Sequence, residues 1–132
     1  MILQNINWAG FFCSAFLAIV FLQSGIDKLI NYKRESGWIR QKFVQNALYN
    51  YVGFLFLSLT VFELISGALS FIGAIHVLIS DNPYIARWGA WFSTLTMIML
   101  IFGLRVTKDY SGAATLVPYF IAGIIGLYAL AA

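Results

Sequence analysis

The chain has 132 residues, 61% of them hydrophobic and 10% charged, with a net charge of +3 and a mean hydropathy of +0.85. That composition is too apolar for a soluble domain, too short for two membrane domains, and too weakly basic for nucleic-acid binding. A single cysteine, Cys13, excludes an internal disulfide, a CxxC redox pair or a cysteine zinc site, and a single histidine, His76, excludes a bis-His haem within one chain, so neither haem nor metal is expected.

Residues 8–30 form the first expected span, WAGFFCSAFLAIVFLQSGIDKLI. A cleaved signal peptide opens with a basic region and closes on a small-residue site. This stretch starts uncharged and runs into Asp27 and Lys28, so it reads as a permanent helix. Ser14 and Ala18 give a modest packing face, and Gln23 and Asp27 are four apart on one face with Lys28 beside them.

Residues 31–50 are the one long polar connection. Trp38, Ile39, Phe43, Ala47 and Leu48 recur at roughly helical spacing while Arg40, Gln41, Lys42 and Gln45 fall elsewhere, which predicts a short amphipathic helix in the interface over about 36–48. A solvated loop is the alternative.

The second span, about 51–77, carries a carboxylate, Glu63, close to its middle. At about 1.5 Å per residue, Glu63 lies roughly 18 Å from Tyr51, in a hydrocarbon core about 30 Å thick. A charge there costs at least about 2.5 kcal/mol, so the side chain must face protein or water. Thr60, Ser66, Gly67, Ser70 and Ala74 share its face and offer close helix approach and hydroxyl partners. Phe54, Leu57, Leu64 and Phe71 are assigned to lipid. Isolated, the carboxyl would be a neutral staple between helices; were a rim cation such as Lys28 to reach it, the pair would hold it ionised.

Ser80-Asp81-Asn82-Pro83 is a turn. The third span, about 85–104, opens with Arg87, Trp88 and Trp91 and contains Met97 and Met99, which read as packing filler. Arg105, Lys108 and Asp109 form a tight connection to the fourth span, about 112–131, in which Pro118 is expected to bend the helix. His76, about 20 Å beyond Glu63, is an interfacial polar residue.

Four spans place both termini on one side. The first and third connections carry seven Lys and Arg residues against one, Arg87, in the second. The positive-inside rule then puts those connections in the cytoplasm and both termini outside it, in a bacterial inner membrane. Asp27, Lys28, Arg105, Lys108, Asp109 and Tyr110 gather at that boundary, with Gln23 about a turn deeper and Glu63 deeper still. Such a polar track fits three uses: binding the head of a quinone or lipid, carrying protons, or holding a partner subunit. The alternative is that rim charges pair and anchor helix ends.

Three segments resemble the DoxX family of small four-helix membrane proteins over nearly the whole chain. They are FLQSGIDKL (Phe21 to Leu29), the acid-to-glycine spacing Glu63 to Gly67, and KDYSG followed by YFIAG (Lys108 to Gly112, Tyr119 to Gly123). The resemblance implies a compact four-helix bundle. It also implies a link to quinone-dependent oxidases or other membrane redox complexes, in which some relatives are small subunits. Gly25 and Lys28 match the family's first-helix motif and Glu63 its second-helix acid.

The expectation is therefore an all-α integral membrane four-helix bundle, a single transmembrane domain over 1–132. Its expected role is that of a small accessory subunit of a respiratory or quinone-linked complex, without catalytic activity of its own. The alternative is a binder or carrier of a quinone- or lipid-like molecule. Gln23, Asp27, Lys28, Glu63, Arg105, Asp109 and Tyr110 are the candidate binding residues. The expected partners are membrane lipid and other membrane subunits or further copies of the chain, not nucleic acid.

Overall fold

The computed structural model of the chain describes residues 7–42, 49–80 and 82–131. Four long helices, α1 (Trp8–Ile30), α3 (Val52–Ser80), α4 (Tyr84–Val106) and α5 (Tyr110–Ala131), are each long and apolar enough to cross a membrane. A shorter helix, α2 (Tyr32–Lys42), follows α1 directly, and a single 3₁₀ turn at Tyr49–Tyr51 leads into α3. The protein is an all-α membrane four-helix bundle.

The helix ends follow local chemistry. Asn7 caps α1 by accepting the Gly10 N–H (2.9 Å), and its amide donates to the Ala129 carbonyl (2.6 Å), tying the start of α1 to the end of α5. Asp109 caps α5 by accepting the Gly112 N–H at 3.0 Å. Between α4 and α5, Lys108 adopts a left-handed φ of 63°. Its N–H donates to the Arg105 carbonyl, and the Asp109 N–H to that of Leu104. This is a Schellman ending with lysine where glycine is usual. α2 begins at Tyr32 rather than Ser36; residues 43–48, the second half of the expected interfacial helix, lie outside the described residues, as does Asp81 of the second turn. α5 runs through Pro118 without interruption.

Small residues set the helix spacing. A Cβ at Gly67 would lie 2.8 Å from the Leu22 backbone nitrogen, and one at Gly25 2.7 Å from the Leu64 side chain, so the α3 backbone at Gly67 reaches the α1 backbone, and the α1 backbone at Gly25 meets a side chain of α3. On the other side of α3, Gly73 faces the Ala86 backbone and Gly89 faces Ser70, drawing α4 in near their shared turn. Hydroxyls in this region are mostly satisfied within their own helices. Thr60 donates to the Phe56 carbonyl, Ser66 to Phe62, Thr94 to Ala90 and Thr96 to Phe92, and Ser66 also meets Thr96 across α3 and α4 at 3.2 Å.

The buried core comprises Leu17, Phe21, Val77, Ala86, Ala90, Met97 and Leu130. Phe54, Leu57 and Phe71 are exposed, as expected of a lipid face. Leu64 is a correction to that face: it is half-buried and packs over Gly25 of α1.

Candidate functional site

The antiparallel register of α1 and α3 decides the site. The approaches of Gly25 to Leu64 and of Gly67 to Leu22 place the last turn of α1 opposite the turn of α3 that holds Glu63. Ser24 and Lys28 lie one turn apart on the facing side of α1. Glu63 is 1% exposed. Its Oε2 accepts the Ser24 hydroxyl proton at 3.0 Å and lies 3.1 Å from Lys28 Nζ. Lys28 also donates to Glu63 Oε1 (3.2 Å) and to Ser24 Oγ (2.8 Å), closing a triangle in which each group satisfies the other two. The expected hydroxyl partners of Glu63 on its own helix, Thr60 and Ser66, are turned to backbone carbonyls instead. The arrangement is the second of the two considered for this carboxyl, a charge-assisted pair rather than an isolated staple.

The triangle forms part of the wall of a cavity of about 530 Å³. That size lies within the range of about 300–1,000 Å³ common for small-molecule sites. Val20 and Phe21 of α1, Leu55, Phe56 and Leu59 of α3, Met97, Leu100 and Gly103 of α4, and Leu116 and Tyr119 of α5 supply most of the remaining wall. Met97 and Met99 both face it, giving a deformable apolar surface. Glu35, Trp38 and Ile39 of α2 close one end. Glu35 is 3.7 Å from Arg34, a largely exposed pair of little energetic weight. Tyr32 meets Phe56 edge-on (5.4 Å), anchoring the start of α2 on α3.

The cavity exists because α1 and α5 part company partway along the bundle. They touch at Asn7 with Ala129, Gly10 with Leu130, Cys13 with Gly126, and Phe16 stacked on Tyr119 at 5.9 Å. All of these contacts lie towards the end that carries the described termini. Beyond Tyr119, the space between the helices is the cavity. Trp38, Leu55 and Phe102 line it yet are substantially exposed, so it opens sideways onto the surface that lipid covers.

The structure divides the candidate residues. Lys28 and Glu63 come together. Gln23 and Asp27 do not join them: both are exposed on α1, about 100° from the Ser24–Lys28 edge, and neither lines the cavity. Arg105 and Tyr110 pair with each other, the guanidinium 4.5 Å from the ring centroid, and Asp109 is a helix cap. These three are end-of-helix fittings outside the cavity wall. His76 is exposed, its carbonyl accepting from Ser80.

Ser24, Glu35, Trp38 and Tyr119 are not among the expected site residues, although Trp38 falls in the expected interfacial segment and Tyr119 in a family-like one. Ser24 had a usable signal, the series Ser14, Leu17, Ala18, Phe21, Gly25 and Lys28 at three- and four-residue spacing, which marks the buried side of α1. Among the described residues, no three His, Cys, Asp or Glu side chains gather as metal ligands.

No protein-family profile and no solved structure match the chain. A 70-residue stretch, 52% of the chain, is 34% identical to part of the phospholipid-transporting ATPase IC of Mus musculus, and it spans 6% of that protein. Spans that share lipid as solvent draw on the same few apolar residue types, and a segment so short carries none of the ATPase's activity over to this chain.

Proposed function

We propose that this chain binds a small quinone- or lipid-like amphiphile within the membrane, in the cavity beside Glu63. One observation carries the reading: an apolar cavity of about 530 Å³, open towards lipid, has in its wall the partly buried Lys28 and Ser24 closed on the buried Glu63. Apolar walls with a few convergent polar groups are the usual make-up of a ligand site. A bundle acting only as a spacer gains nothing from keeping an ion pair beside an open cavity. The resemblance to DoxX proteins supports a broader role for the same site, as an accessory subunit of a respiratory or quinone-linked complex. In that role the protein sits in a bacterial inner membrane with both termini outside the cytoplasm, an orientation supported by the distribution of Lys and Arg.

Gly103 provides the test, because it lines the cavity and a Cβ there would meet nothing within 4 Å. Gly103→Phe should fill space without displacing a neighbour. Extraction of the purified protein, followed by mass spectrometry, should recover a bound amphiphile from the parent chain and little from the variant, with both equally folded. Equal recovery from both would remove the cavity from consideration. Co-purification of partner subunits in mild detergent tests the broader role separately.

A further inference from the structure

We infer that the cavity selects an uncharged amphiphile whose head presents a hydrogen-bond acceptor to Lys28, and that it rejects amphiphiles with a permanently anionic head. The inference rests on the binding role proposed above and specifies the ligand's head.

The donor and acceptor inventory leads to this class. Lys28 carries three N–H donors. One goes to Ser24 Oγ and one points between the two Glu63 carboxylate oxygens, 3.2 and 3.1 Å away, which leaves one on a half-buried ammonium that lines the cavity. Ser24 has already given its proton to Glu63, so it has no donor for a ligand. In a largely apolar wall, a donor left without a partner is costly. A carbonyl, ester or ether oxygen on the ligand satisfies it.

Charge narrows the choice. Among the described residues, the ionisable side chains in the wall are Lys28, Glu35 and Glu63, besides the phenol of Tyr119, so carboxylates outnumber the ammonium two to one there. Arg34, the partner of Glu35, is largely exposed and does not line the cavity. An anionic head would meet a described wall of net negative charge, in which the Lys28 charge is already offset by Glu63 and Glu35 stands unmatched from the cavity side. A cationic head would compete with Lys28 for a carboxylate whose two oxygens are already taken up. A neutral head disturbs neither pair. Two sources share the required chemistry, a ring carbonyl as in a quinone and a chain ester as in a neutral glyceride.

The test uses the full chain in nanodiscs of zwitterionic phospholipid. Four photoreactive alkyl probes of equal chain length would differ only in the head: a benzoquinone ring, a methyl ester, a sulfonate and a trimethylammonium. Labelled positions are mapped by peptide mass spectrometry. The expected result is labelling of cavity residues such as Leu59 and Leu100 by the quinone probe, the ester probe or both. Half-saturation should come at concentrations at least tenfold lower than for either charged probe, and Gly103→Phe should abolish the labelling. The better of the two neutral probes identifies the source. In Glu35→Gln, which takes the described wall from one net negative charge to none and leaves the Lys28–Glu63 pair intact, the preference over sulfonate should fall to threefold or less. Sulfonate or trimethylammonium labelling the cavity as readily as the neutral probes would overturn the head-group inference and leave the binding role standing. If Gly103→Phe left the labelling by every probe unchanged, both would fall.

Discussion

Lys28 Nζ lies 3.1 Å from Glu63 Oε2, across an interface where α1 and α3 run so close that Gly25 and Gly67 have no room for a side chain. The ammonium belongs to the last turn of α1 and the carboxylate to the middle of the longer α3, so the register of the two helices brings a helix end level with a mid-helix acid.

Removing one member of this pair should cost more than removing both. Glu63→Leu leaves the ammonium without a counter-charge and Lys28→Met leaves a buried carboxylate, each loss worth about 3–5 kcal/mol where a buried pair is broken. The double variant Lys28→Met with Glu63→Leu should recover at least half of the loss. Denaturant unfolding in detergent, run on all four proteins, gives the coupling directly; simple additivity would mean that the two groups do not interact.

The glycine contacts predict that both sides of the α1–α3 interface are sensitive. Gly67→Leu should prevent assembly, since even its Cβ would overlap the Leu22 backbone. Leu64→Ala should also destabilise, by on the order of 1 kcal/mol, through the loss of its packing over Gly25. Phe71→Ala, on an exposed face, should have little effect. Thermal denaturation in detergent ranks the three, and a Leu64→Ala protein as stable as the parent would contradict the packing described.

Lys108 occupies a left-handed position at the end of α4. A non-glycine residue costs about 1–2 kcal/mol there. Lys108→Gly should therefore raise the unfolding midpoint, and Lys108→Val should lower it. A fall with glycine would show that the lysine side chain contributes something the backbone geometry does not reveal.

Orientation can be read with single cysteines after Cys13→Ser. A cysteine at Arg40 should be shielded from an impermeant thiol reagent added outside intact cells, and one at Asn82 should be labelled. The opposite pattern would invert the proposed topology.

The four spans were legible in the sequence because lipid is a uniform solvent. Any helix that crosses it must be long and apolar, and the Ser80–Pro83 turn and the Arg105–Asp109 turn interrupt that pattern openly. The cost of a carboxyl at depth likewise singled out Glu63, and the small residues Thr60, Ser66, Gly67, Ser70 and Ala74 did mark a buried face. What the sequence left open was rotation and register. In water, an apolar stripe shows which way a helix faces; in a membrane, both faces of α1 are apolar, so the Gln23–Asp27 edge stood out as the polar one and the Ser24–Lys28 edge was passed over. Leu64 was assigned to lipid for the same reason. Only the close approaches of Gly25 to Leu64 and Gly67 to Leu22 fix how far α1 slides along α3, and that register sets Lys28, in the last turn of α1, level with Glu63. The cavity, too, belongs to the tertiary structure alone: it is the space left where α1 and α5 separate beyond Phe16 and Tyr119, and no residue type records an empty volume.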